Sequence, residues 1–292
     1  MKRFILLFFI IIFQVIFTQP CFAIKIGLVD AASRAVIGSS VNAAVIDGNS
    51  NRTIFTLAGM VPYELRAYRN NIAIKVNGSY YDLKTNFISI KTYNSGFLSV
   101  KNKWYRGHFI VYNRNGYLTV INKINLEDYI KGVVPSEMPS GWSYEAHKAQ
   151  AIAARSYALA NLGKRASHGY DLKDTPEDQA YGGASAEKRN TNRAVEDTRE
   201  IVLIYDSKII PAYYSASAGG QTTTSGKVWT HNLPYLQSVP SFDDKIKKSG
   251  HGVGMSQHGA NNLAKQGYNA YQILQYFYRG VQFARINPNF YK

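Results

Sequence analysis

Among the 19 Asp and Glu residues, Glu137 has the surroundings of a proton donor. It lies in Val133-Val134-Pro135-Ser136-Glu137-Met138-Pro139, with Trp142 close behind. An apolar wall around a carboxyl group disfavours its charged form and raises its pKa. A carboxylic acid that keeps its proton near neutral pH can protonate the leaving oxygen of a glycosidic bond. The same residue could equally cap a turn or pair with a surface lysine, and the local pattern leaves both open. A glycosidase working through two carboxylates needs the second one about 5–10 Å away. Glu127, Asp128 and Glu145 are near in sequence, but Glu145 is explained by the dipole of a following helix. Asp171, Asp174, Glu177 and Asp178 can approach only through the fold, so no pair is required by spacing.

Two further stretches carry polar chemistry. His251 and His258 stand seven apart with glycines between them, which is neither the i, i+4 pair of a zinc helix nor another standard zinc spacing. Gly250, Gly252, Gly254 and Gly259 let backbone approach a neighbour or a ligand closely, and tight packing of a turn explains them as well as a ligand does. Ser256 is placed to cap a helix whose first N–H groups would face a polar ligand. Ser215-Ala216-Ser217-Ala218-Gly219-Gly220 offers two hydroxyls and bare backbone. A Ser–His–acid triad is open on composition, but no Gly-x-Ser-x-Gly elbow is present. A polysaccharide cleft would use such hydroxyls with stacked aromatics; of the 22 tyrosines, many serve as strand residues.

The elements that must position these residues are legible in outline. Residues 24–100 read as a β-rich module of short strands, such as Ile24–Val29, Ile72–Val76 and Phe87–Lys91, broken by Asn/Gly/Asp turns. Residues 108–123 predict a hairpin reversing at Asn115-Gly116. The two prolines around Glu137 predict a shaped loop rather than a helix. Ser143 then caps a helix running through Leu162 and stopped by Gly163, with a narrow alanine face (Ala146, Ala149, Ala153) that lets another element pack closely. A short helix near 187–197, a strand at Ile201–Tyr205, a helix after Ser256 ending at Gly267 and a last helix carrying Ile273, Leu274 and Phe277 complete an α+β chain rich in antiparallel strands.

Composition bounds the setting. The 292 residues are 46% hydrophobic, too apolar for a disordered chain, and carry a formal charge of +15. Lys2 and Arg3, the apolar run from Phe4 to Phe13 and Cys21-Phe22-Ala23 predict a signal peptide over residues 1–23, with an uncleaved anchor as the alternative. Its removal leaves no cysteine, hence no disulfide and no thiolate chemistry. The expected location is therefore the periplasm or cell wall, with membrane contact only through the N-terminal segment if it is retained. The positive balance fits an anionic neighbourhood or a generic basic surface. Export and the lack of an Arg/Lys block interleaved with aromatics argue against nucleic acid.

Taken together, the motifs resemble the stage II sporulation protein D family, also called the amidase-enhancer (SpoIID/LytB) family. The resemblance rests on Val133–Pro139, on Ala149-Gln150-Ala151-Ile152-Ala153-Ala154-Arg155-Ser156-Tyr157-Ala158, on Gln179-x-Tyr181-Gly182-Gly183, on Tyr214–Gly220 with Val228-Trp229, and on Gly250–Ala260. These blocks fall, in order, within residues 104–280. The resemblance implies a SpoIID-like domain at 101–292, a few helices and antiparallel strands around a cleft, preceded by the small β-rich module at 24–100. It implies a lytic transglycosylase that cuts the N-acetylmuramic acid–N-acetylglucosamine bond of peptidoglycan, preferring strands without stem peptides, with Glu137 as catalytic residue. There the substrate's own C6 hydroxyl attacks and closes a 1,6-anhydro ring, so one carboxyl can serve as acid and then base, with no second acid and no cofactor. It also implies substrate contacts from Ser136, Arg155, Tyr157, Gln179 and Tyr181, from Ser215, Ser217, Gly219 and Gly220, and from His251, Gly252, Gly254, Ser256 and Gln257.

Two departures qualify the resemblance. Some members hold zinc through cysteines near the positions of Lys173 and Asp178; with none here, no zinc is expected. The family often has a long insertion between the segments matching Leu236 and His251, shortened here to Gln237–Gly250, so a cleft wall is expected to be reduced. The principal alternative is a non-catalytic peptidoglycan-binding protein that modifies a partner cell-wall amidase. A third reading is an adhesive or structural envelope protein using the 24–100 module.

Overall fold

The structure, a computed structural model, describes residues 23–287. The expected signal segment lies outside the described residues except for Ala23, which opens the first strand. Twelve strands come first: β1 (Ala23–Ala32), β2 (Arg34–Ser39), β3 (Ala43–Asp47), β4 (Thr53–Leu57), β5 (Tyr63–Tyr68), β6 (Asn71–Val76), β7 (Ser79–Asp82), β8 (Phe87–Thr92), β9 (Leu98–Val100), β10 (Lys103–Tyr105), β11 (His108–Arg114) and β12 (Tyr117–Asn125). Then come α1 (Leu126–Glu137), α2 (Tyr144–Ala160), β13 (Leu172–Lys173), α3 (Arg189–Asp197), β14 (Ile201–Tyr205), β15 (Lys208–Ile209), β16 (Tyr214–Ser215), β17 (Met255–Ser256), α4 (Gln257–Lys265), α5 (Ala270–Phe277) and β18 (Gln282–Arg285). This is the expected α+β, antiparallel, strand-rich class.

Two sheets stack. The larger runs β13-β1-β12-β11-β8-β3-β4 and the smaller β10-β9-β2-β5-β6-β7. Alternation along each strand sends one set of side chains inward: Ala35 and Ile37 of β2, Phe109 and Val111 of β11. They meet Ile24, Val45, Ile88 and Val120 in one core, with β12 against β2 and β5. The β11–β12 hairpin forms as expected; Asn115 and Gly116 have φ of +52° and +83°, the left-handed pair its two-residue turn requires. The larger sheet crosses the boundary expected at 100/101, because β1 pairs with β12 and β8 with β11. Residues from both segments therefore share one sheet and one core.

The segment around Glu137 differs from the expected loop. It is the last turn of α1, with Pro135 inside the helix. Proline there forfeits one backbone bond and crowds the preceding turn. Burial of Val133 and Val134, both fully covered, offsets that cost. Asn125 caps the start by accepting from the Glu127 N–H at 2.8 Å. Pro139 ends the helix by forcing Met138 into an extended conformation, φ −126° and ψ +137°.

The narrow alanine face expected of α2 packs closely against other elements, and the helix is in addition buried nearly all round. Ala151, Ala154 and Ala158 join the sheet core, while Ala146, Ala149 and Ala153 join a second core with Leu203, Leu236, Met255, Ile273 and Phe277. Small side chains let elements close on it from both sides. Among the described residues no helix is long and apolar enough to cross a membrane.

Candidate active site

Where α1 ends, the Glu137 side chain enters a cleft of about 920 Å³. Its carboxyl is held on both oxygens. Oε1 accepts from the Ala180 N–H at 2.7 Å and from the Tyr214 hydroxyl at 3.5 Å; Oε2 accepts from Gln257 Nε2 at 3.2 Å. Burial raises the pKa of Glu137 above its ordinary value, and these three donors restrain the rise. Behind the carboxyl, Tyr129 donates to Gln179 Oε1 at 3.1 Å, and Gln179 Nε2 donates to the Tyr214 oxygen at 2.8 Å and the Ala154 carbonyl at 3.2 Å. Gln179 thus aims Tyr214 at Glu137. β16 and β17 pair in parallel, which brings Tyr214 and Gln257 to the same carboxyl although they are 43 residues apart.

The cleft wall is aromatic. Trp229 packs on Tyr213, ring centroids 4.5 Å apart, and on His251 at 5.2 Å. His251 Nδ1 accepts from the Val253 N–H at 2.9 Å, so its proton sits on Nε2. Burial, with Lys248 nearby, lowers its pKa and keeps the ring neutral. Ser215 lines the cleft with a buried Oγ that has no hydrogen-bond partner. Gly250, with φ +94°, comes close enough to Ser215 that a Cβ would stand 2.8 Å from the serine Cβ. Such a wall offers ring faces and polar edges to a sugar.

The residues proposed from sequence separate into two groups. Ser136, Tyr157, Ser215, His251 and Gln257 line the cleft with Glu137, and Gln179 stands directly behind. The others do not reach it. Arg155 is fully buried and forms a two-pronged ion pair with Glu127, at 2.8 and 2.7 Å, locking α2 to α1. Tyr181 packs on Tyr129 and donates to Asn122 at 2.9 Å. Gly252 packs beside Lys248, and Gly254 lies so close to the Tyr213 carbonyl that a Cβ would stand 2.1 Å from it.

Ser217, Ser256 and Gly220 are used by a residue the sequence did not single out, while the Gly219 N–H donates to Ser217 Oγ at 3.2 Å. Asp243, only 2% exposed, accepts from Ser217 Oγ at 2.9 Å, Ser256 Oγ at 2.5 Å, Ser241 Oγ at 2.5 Å and the N–H groups of Ala218 and Gly220, both at 2.8 Å. Burial alone would raise its pKa, but these donors outweigh it and hold the carboxyl at about 2. Consecutive positive φ values at Gly219 and Gly220, +72° and +97°, turn backbone N–H groups inward as an anion nest. The small-residue motif thus cradles an internal carboxylate. Ser256 also caps α4 by accepting from the Gly259 N–H at 3.1 Å, so Asp243 anchors the helix start that carries Gln257.

Of the acids left open as a second carboxylate, Glu177 and Asp178 come to the cleft. Lys173 holds the pKa of Glu177 down. Burial pushes Asp178 up, but Arg165, Lys164 and the Lys173 N–H outweigh it and the net direction is down. These ion pairs tie both carboxylates to Lys164, Arg165 and Lys173. Among the described residues no group of three or more His, Cys, Asp or Glu is placed to hold a metal.

Comparison with known proteins agrees with this architecture. The SpoIID family, described as Stage II sporulation protein, matches residues 114–205, from the end of β11 to the end of β14. The chain is 47% identical over 107 residues to the Amidase enhancer of Bacillus subtilis strain 168, covering 37% of this chain and 14% of that protein. It is 27% identical over 256 residues to the Stage II sporulation protein D of Bacillus amyloliquefaciens, covering 55% of this chain and 74% of that protein. It is 28% identical over 274 residues to an uncharacterized protein of Brachyspira hyodysenteriae, covering 64% of this chain and 74% of that protein. The chain belongs to the SpoIID/LytB, or amidase-enhancer, family.

Proposed function

We propose that the chain works outside the cytoplasm on the bacterial cell wall, and that the cleft at Glu137 takes a glycan strand of peptidoglycan. The observation that carries this reading is a half-buried carboxyl of raised pKa at the floor of a cleft walled by Trp229, Tyr213 and His251. A sugar polymer supplies the ring faces for that wall and hydroxyls for Ser215 and Gln257. The basic surface, formal charge +15, favours an anionic matrix.

Two readings share this bound strand. The relatives weigh toward a modifier of a partner cell-wall amidase, because the 47% match is to a protein named Amidase enhancer, though it spans 14% of that protein. The residues of the cleft support cutting. A Glu137 that keeps its proton to higher pH can pass it to the glycosidic oxygen as the bond to C1 breaks. The substrate's C6 hydroxyl then bonds to C1 and returns its proton to the Glu137 carboxylate, which regenerates the acid. Such acid–base assistance is worth about 10²–10⁴ in rate. Glu177 and Asp178, both charged and paired, are not needed as proton donors in that sequence.

Digestion of denuded glycan strands by residues 24–292, with mass analysis, separates the readings. Cutting predicts 1,6-anhydro ends, abolished in Glu137→Gln while strand binding persists. Binding without product, together with faster turnover by a cell-wall amidase in the same mixture, identifies the modifier. Reducing-end sugars alone, or no binding by either protein, would overturn the respective claims.

A further inference from the structure

We propose that the outward face of the six-stranded sheet holds a second glycan-binding site, built for a carboxylate-bearing strand and separate from the cleft. The choice of polymer rests on the reading above; the site itself rests on the following geometry.

The antiparallel register sets Arg34 of β2 directly opposite Arg66 of β5, and Lys75 of β6 opposite Tyr80 of β7. Like charges placed opposite each other on a sheet repel. Among the described residues none of these three cations forms an ion pair with a carboxylate. The two acids on this face are engaged elsewhere: Glu64 accepts the Tyr80 hydroxyl at 2.6 Å, and Asp82, opposite Ala73, accepts from Asn71 Nδ2 at 3.1 Å and the Lys84 N–H at 2.8 Å. The Arg66 guanidinium lies 3.7 Å over the Tyr80 ring and 5.6 Å from that of Tyr68, and its Nε is buried without a hydrogen-bond partner. The stack covers Nε and holds the planar fork in place, which leaves the terminal Nη1 and Nη2 groups, with no hydrogen bond of their own among the described residues, for two-pronged capture of a carboxylate.

A groove of about 600 Å³ starts at Arg34 and runs past Val36, Gly38, Ser99 and Lys101. Its one carboxylate, Asp30, is already engaged by the Tyr170 hydroxyl at 3.0 Å and His168 Nδ1 at 3.1 Å. Lys101 pairs with Asp174 at 3.2 Å, and Pro176, Glu177 and Asp178 of that same loop line the catalytic cleft. Groove and cleft therefore flank one loop, and a single long polymer can lie along both. A glycan strand stripped of peptides supplies a partner these cations do not have within the sheet face: lactyl carboxylates at every second sugar, for Arg34, Arg66 and Lys75.

The test measures binding of long denuded strands and of one- or two-disaccharide fragments to residues 24–292. The variants are Arg34→Gln, Arg34→Gln/Arg66→Gln and the control Lys208→Gln/Lys265→Gln; the exposed Arg34 keeps the test open if the double variant folds poorly. The expected result is a loss of about tenfold in long-strand affinity for the double variant and a smaller loss for Arg34→Gln, with fragment binding and the control unchanged. Equal loss in the control, no loss in either Arg variant, or tighter binding of a glycerol-phosphate polymer through the same arginines would overturn the proposal. Fragment binding in the wild type reports the cleft alone, so its absence would count against the proposed function and leave the long-strand result to decide the sheet face.

Discussion

Glu137 is a carboxyl whose native environment favours the protonated form. The sign of its effect on stability follows. With the folded pKa above the unfolded one, the native state holds the extra proton between the two values, so stability falls as pH rises through that window. Glu137→Gln removes this charge. The variant should melt at a higher temperature than wild type at pH 7 and show a smaller advantage at pH 4, below the ordinary 4.5, where protonation removes most of the difference. Parallel thermal melts at the two pH values check this; an unchanged or lower melting temperature at pH 7 would mean the carboxylate is not disfavoured in the fold. The sequence showed this residue because its apolar neighbours and prolines are local. It could not separate Arg155 and Tyr181 from the residues lining the cleft, because a residue that locks helices together and one that faces a cleft look alike within a short motif.

At the scale of elements, α1 aims Glu137, and α4 with the loop around Asp243 completes its surroundings. Asp243→Asn keeps the shape but leaves donors from Ser217, Ser241, Ser256 and two backbone N–H groups short of an acceptor. Hydrogen bonds to a buried charge are worth about 1.5–3 kcal/mol each, so the variant should lose at least about 3 kcal/mol by denaturant unfolding. Since the native pKa of about 2 lies below the ordinary 3.8, this contribution is full above roughly pH 4 and is lost as pH falls toward 2. A loss of less than about 1 kcal/mol at pH 7 would contradict the anchoring role. The hairpin turn and α2 were legible because turn chemistry and alanine spacing are local signals. The last turn of α1 was not, because tertiary burial of Val133 and Val134 overrode the proline signal. Asp243 was not, because its nest lies 23 residues upstream and no pattern joins them.

Over the whole molecule, the larger sheet makes residues 24–100 part of the support for the cleft. β1 covers one side of β12 and β8 one side of β11. Removing residues 1–100 would leave both strands with unpaired edges and uncover Val111 and Val120. A chain of residues 101–292 should therefore show no cooperative unfolding transition, while residues 24–292 show one; calorimetry distinguishes them. Two separate transitions in the longer chain would instead mean that the 24–100 module unfolds by itself. The composition and strand spacing gave the α+β class, but strand partners so distant in sequence leave no local trace.

The claim on which the account depends is that a glycan occupies the cleft beside Glu137, against Trp229. Its most direct test is equilibrium binding of a two-disaccharide denuded fragment to residues 24–292, to Glu137→Gln and to Trp229→Ala. Saturable binding is expected for the first two and a loss of about tenfold, about 1.4 kcal/mol, in the third. Absence of saturable binding, or equal affinity in Trp229→Ala, would contradict it.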